Sequence, residues 1–162
     1  GDWIVRDEAT TEAKLQTLEQ VLLRETGRDI RFVKRPVEQD VIVATGRYEF
    51  HQPPEPFRQG AVAMYAGEAD RSTGGSSADS VGEFLQAVGD RAGMPVVDET
   101  ETGASGNISY MYYSSSDIRE IADPAQKAQR LAAFLEKLSQ QTSLQFRLER
   151  RTVDKWFLTA VR

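Results

Sequence analysis

Phe84-Leu85-Gln86-Ala87-Val88, five residues, then Met94-Pro95-Val96 returns fifty positions later as Phe134-Leu135-Glu136-Lys137-Leu138, five residues, then Leu144-Gln145-Phe146. A looser copy is Thr17-Leu18-Glu19-Gln20-Val21, with Ile30-Arg31-Phe32 one residue further on. Each copy sets apolar residues at helical spacing and then an apolar run at strand spacing. A helix–turn–strand unit is therefore expected three times. Nothing in the repeated phrase is chemically reactive, so any site is expected between the copies, in 51–79 and 98–113.

The ends of these helices are written in the sequence. Thr10 or Thr11 can cap a helix over about 11–26, and Leu15, Leu18, Val21 and Leu22 share one face. Gly27 follows, where a left-handed residue closes a helix. Ser80-Val81-Gly82-Glu83 is a capping box that opens the second helix, with Val81, Phe84, Leu85 and Val88 as its apolar face. Asp123-Pro124 opens the third, with Leu131, Phe134, Leu135 and Leu138 on one side.

Between them the expected strands are Trp3-Ile4-Val5, Ile30–Arg35, Val41–Ala44, Ala61–Tyr65, Pro95–Glu99 and Asn107–Tyr113. Pro36 is expected to break 30–44 into a hairpin. Gln145–Glu149 and Lys155–Ala160 read as a second hairpin, which aligns without a gap with the first. Residues 51–59 are proline-rich and read as an extended loop, and 67–79 as a flexible Gly/Ser linker joining similar halves, 1–66 and 80–162. The expected class is α+β: three helices packed on mainly antiparallel sheet.

The 162 residues are 40% hydrophobic and 28% charged, as in a soluble globular domain with its own core. A net charge of −5 argues against general nucleic-acid binding, which needs a basic footprint. With no cysteine, thiolate and disulfide chemistry are excluded. No stretch approaches the roughly 20 apolar residues of a bilayer span. The chain opens at Gly1 without Met and is expected to be part of a longer protein.

Candidate chemistry is sparse. The single histidine, His51, lies in the proline-rich loop, so a zinc motif with two histidines is impossible. A serine triad would have to combine His51 with a residue such as Ser105, in Gly103-Ala104-Ser105-Gly106-Asn107, which lacks the second glycine of a nucleophile elbow. Asp98, Glu99 and Glu101 could serve acid–base catalysis or calcium, or form a solvated acidic loop. No phosphate-binding glycine motif is present. Tyr110 and Tyr112 share one strand face, Met111 and Tyr113 the other; one face is core, and the other either meets a partner or stays half-buried. Arg147, Arg150 and Arg151, with Arg31, Lys34 and Arg35, either form a local positive patch or blunt outer strands. The candidate interaction surface is thus Tyr110, Tyr112, Tyr113, Arg147, Arg150 and Arg151. No catalytic residue, metal or cofactor is expected.

Residues 80–160 resemble the short N-terminal domain of secretin and TonB proteins in Phe84, Leu85 and Val88, in Phe134, Leu135 and Leu138, and around Val153–Leu158. The run Pro95-Val96-Val97-Asp98-Glu99-Thr100, with Val37–Val43 and Val153–Leu158, resembles a bacterial extracytoplasmic family of acidobacteria and planctomycetes, some members of which are fused to membrane metallopeptidases of the BlaR type. That family continues into Gly-Leu-x-Gly-x-Tyr-Asp-Phe, whereas Glu101-Thr102-Gly103 here leads into the tyrosine strand; Thr45-Gly46-Arg47-Tyr48-Glu49-Phe50 is the nearest counterpart. The resemblance implies a non-enzymatic interaction or sensor domain of a larger protein, extracytoplasmic or periplasmic. Its partners would be a protein or other domains of the parent chain, and it would meet a membrane only through a parent anchor. The alternatives are a small hydrolase using the loop carboxylates or Ser105 with His51, and a secretin-like assembly module.

Overall fold

The structure, a computed structural model, describes residues 8–52, 60–65, 73–101, 105–113 and 118–160. The expected strand at Trp3–Val5, most of the proline-rich loop and residues 67–72 of the expected linker lie outside them. The class is α+β. In chain order the elements are α1 (Thr11–Thr26), β1 (Ile30–Gly46), β2 (Val62–Met64), β3 (Thr73–Ser80), α2 (Val81–Ala92), β4 (Val96–Thr100), β5 (Ser105–Tyr113), a single 3-10 turn (Ile118–Glu120), α3 (Pro124–Thr142) and β6 (Gln145–Ala160).

All three helices start as their sequences dictate. The side chains of Thr10, Ser80 and Asp123 accept the backbone N–H groups of Ala13, Glu83 and Gln126. Glu83 reaches back to the N–H of Asp79 at 2.8 Å, one residue before the cap. They also stop alike, on a left-handed residue whose N–H bonds a carbonyl four residues back: Gly27 to Leu23, Gly93 to Gly89 and Ser143 to Ser139. Each helix then leads into a strand, and these three strands form one sheet in the order β4-β1-β6. The second sheet is β2-β5-β3.

The two expected hairpins are not there: β1 and β6 are single long strands. Lys34 pairs with Asp154 and Asp40 with Arg150, so β1 and β6 run antiparallel. Pro36 does not break β1, because β4 joins β1 only from Ile42 onward. At Pro36, β1 has a neighbour on one side, and a missing N–H is tolerated on the other. With those hairpins gone, neighbouring strands come from distant segments. Parallel pairing then becomes possible: β1 runs parallel to β4 and β2 to β5. Both sheets are therefore mixed, with the long pairings β1–β6 and β3–β5 antiparallel.

The expected linker is also partly a strand. Thr73–Ser80 pairs antiparallel with β5, Gly74 opposite Tyr112 and Ser76 opposite Tyr110. Its small residues make room for the tyrosines: a Cβ on Gly74 would lie 2.5 Å from Cε2 of Tyr112. Glycine lowers intrinsic strand propensity, but here an aromatic ring covers the gap it leaves.

The chain forms two compact units, residues 1–39 with 151–162 and residues 40–150. In the second unit, Phe84, Leu85 and Val88 of α2 and Leu131, Phe134, Leu135 and Leu138 of α3 pack with Ile42, Val62, Met64 and Ile108. Burying a side chain such as Phe84 stabilises by about 1.5–3 kcal/mol. In the first unit α1 has no buried residue. It is tied to its own strand by Glu19, which accepts the N–H of Phe32 at 2.6 Å and pairs with Arg31.

Candidate functional site: the open edge of β4

Each sheet has two outer strands, and three of the four are protected. β2 is clamped by Gln141, buried at 3% exposure in the last turn of α3. Gln141 Oε1 accepts the N–H of Ala63 at 2.8 Å, and Nε2 donates to the Ala63 carbonyl at 3.3 Å, so the side-chain amide substitutes for a neighbouring strand. β3 carries a register shift at Ala78–Ser80. β6 is lined with charge, Arg147, Glu149, Arg150, Arg151 and Lys155 among it. Bulges and charges are the usual means of keeping an edge from pairing.

β4 has neither a bulge nor a clamp. Its ladder to β1 begins with the Ile42 N–H on the Pro95 carbonyl at 3.0 Å and ends with the Glu101 N–H on the Gly46 carbonyl at 2.8 Å. In a parallel ladder alternate residues face the partner, so 95, 97, 99 and 101 face β1, and Val96, Asp98 and Thr100 face outward. Pro95 thus places its missing N–H on the β1 side and does not blunt the outer edge. The Thr100 N–H is taken by Oδ1 of Asp98 at 2.9 Å, which also accepts the Thr100 hydroxyl at 2.7 Å. The N–H and C=O groups of Val96 and Asp98 remain, with no strand against them among the described residues.

Beside this edge runs a groove of about 480 Å³ between α2 and β4. Its α2 wall is Gly82, Leu85, Gln86, Gly89, Asp90 and Gly93, one helical face, and its β4 wall is Met94 to Val96 and Asp98, with Arg119 alongside. Gly89 sets the width, because a Cβ there would lie 2.9 Å from the Met94 carbonyl and 3.3 Å from Val96 Cγ2. Leu85 is buried, Met94 and Val96 are half-buried, and Gln86, Asp90 and Asp98 are exposed. A strand edge beside a helix-walled apolar groove is the arrangement in which extended peptides dock by strand addition.

The sequence-derived candidates fall elsewhere. Tyr110 and Tyr112 share a face, as expected, and that face packs against the core: Tyr110 lies edge-on to Phe84 at 6.1 Å, and Arg91 stacks 3.8 Å over Tyr112. Tyr113 is placed in β5 by its backbone alone. Arg147 pairs with Glu149 and, at 3.3 Å, with Glu99; Arg150 pairs with Asp40 at 3.5 Å. Arg147 and Arg150 are thus met by acids, and Arg151 falls in the other compact unit from them.

Asp98 and Glu99 point to opposite faces of β4, and among the described residues no three His, Asp or Glu groups converge as a metal site would need. The side chain of Ser105 lies outside the described residues. His51 Nε2 lies 2.6 Å from Oγ of Ser143, and the His51 backbone N–H bonds the Gln141 carbonyl at the end of α3. No described carboxylate orients the ring, and the adjoining helix end presents carbonyls, which would repel an oxyanion.

The β4 edge went unnoticed in the sequence because an edge is a property of strand order. The available signal was the helix face Gly82, Leu85, Gly89, Gly93, whose small residues let a strand approach α2. No protein-family model, curated protein or solved structure matches the chain.

Proposed function

We propose that the chain is a non-enzymatic protein-interaction domain that recruits an extended segment of its partner to the outer edge of β4. The observation that carries this reading is the pairing of outward backbone groups at Val96 and Asp98 with the α2–β4 groove. Main-chain hydrogen bonds supply affinity in such a site, and the groove selects every second side chain. The Pro95–Thr100 run carries the resemblance to bacterial extracytoplasmic domains, and it is the same run that forms the site. That overlap supports placing the chain as an interaction or sensor part of a larger extracytoplasmic protein.

Val96→Pro is the direct test. It removes one outward N–H and leaves the bonds between β4 and β1 in place. An array of end-blocked, unstructured peptides of about nine residues, long enough to span β4, serves as probe. Wild-type protein should retain a subset, and Val96→Pro should weaken that subset by about tenfold or more beyond the effect of Val96→Ala, which also removes the half-buried side chain but keeps the N–H. Retention of no peptide by wild type, or equal binding by the variant, would sink the reading.

A further inference from the structure

The charges of the groove say what it would hold. Asp90 lies in the last turn of α2, where the helix presents its negative end, and among the described residues its carboxylate has no ion pair or hydrogen bond. An acid in that position is unfavourable by itself and is relieved by a cation. Asp98, on the β4 wall, uses Oδ1 for Thr100; Oδ2 has no partner among the described residues and points toward the Gly82 end of the groove. Arg119 lines the groove beside Gly93 and has a partner of its own. The surrounding unit is acidic as well, with ten Lys or Arg against sixteen Asp or Glu in residues 40–150.

Resting on the interaction reading, we infer that the occupant of the β4 edge is an extended peptide carrying a lysine or arginine, whose charge sits against Asp90, with Asp98 about two helical turns further along the groove. Its backbone pairs with Val96 and Asp98. The methylene stem of the basic residue lies along Leu85 and Met94, as long cationic side chains cover apolar surface while keeping their heads in a polar setting. A side chain two positions along the same strand points the same way, about 7 Å further on, and meets the remaining apolar wall near Val96.

The peptide array, substituted position by position, tests this. Wild-type protein should prefer Lys or Arg over Glu at one position by about tenfold or more, with the preference weakening as salt rises. Asp90→Asn should flatten that preference, and Asp90→Lys should turn it toward Glu, neither with a lowered denaturation midpoint, because Asp90 is exposed and stands at the negative end of its helix. Binding that ignores charge, or a preference that survives Asp90→Lys, would overturn the basic occupant while leaving edge recognition standing. Binding of no peptide would remove both. Concentration-dependent dimers in sedimentation, abolished by Val96→Pro, would replace the peptide with a second copy of this chain.

Discussion

α1 and α2 carry the same instructions and reach different ends. Both have a hydroxyl N-cap, apolar residues at helical spacing and a left-handed glycine at the end. Yet α2 buries Phe84, Leu85, Val88, Gly89 and Ala92, and α1 buries nothing. The difference lies in what each helix meets. α2 belongs to the unit with two three-stranded sheets and α3. α1 shares its unit with residues 30–39 of β1 and 151–160 of β6, a two-stranded ribbon. The described residues of that unit, two strands and one helix, offer little apolar area to close a core. Leu23, Phe157 and Leu158 stay 46, 39 and 60% exposed. Caps and spacing fix where a helix lies; its depth depends on partners distant in sequence.

Truncation is the strongest way to break this comparison. Phe84 is fully buried and lies edge-on to Tyr48 and Tyr110. Phe84→Ala should cost about 3–5 kcal/mol in urea denaturation. Leu18→Ala, at the position of the α1 phrase that corresponds to Leu85, the neighbour of Phe84, should cost about 1 kcal/mol, since that side chain is already half in water. Equal costs would mean that α1 is as deeply packed as α2.

The smallest effect is a pH dependence confined to the unit with the core. Burial raises the Tyr48 phenol above its ordinary value of 10.0. The unfolded chain therefore ionises first as pH rises. The associated stability is full below the ordinary value and is lost as pH climbs toward the folded one. Tyr48→Phe should flatten the alkaline decline of the urea midpoint, leaving neutral pH nearly unaffected. An unchanged alkaline slope would contradict that burial.

Local signals in the chain were sufficient for the three helices, their caps, and strands β2, β4 and β5. Each depends on residues close in sequence, as Ser80 and Glu83 do at the start of α2. Local signals misled where a distant partner overrides propensity. Pro36 reads as a breaker until β1 is known to have one neighbour there, and Gly74-Gly75-Ser76 reads as linker until Tyr112 lies across Gly74. The candidate site follows the same rule. Residues 98–113 were a sensible place to look, but Tyr110 and Tyr112 are taken up by the core, and Arg147 by Glu99 and Glu149. The open edge needs the order β4-β1-β6, which no short motif encodes.

That open edge is the central claim, and amide hydrogen exchange along β4 tests it without any ligand. The N–H groups of Val97 and Glu99 face β1 and should be protected with the core. Those of Val96 and Asp98 face outward and should exchange faster by orders of magnitude, giving an alternating pattern along one strand. Uniform protection from Val96 to Glu99 would mean that the edge is already covered, and would contradict the account.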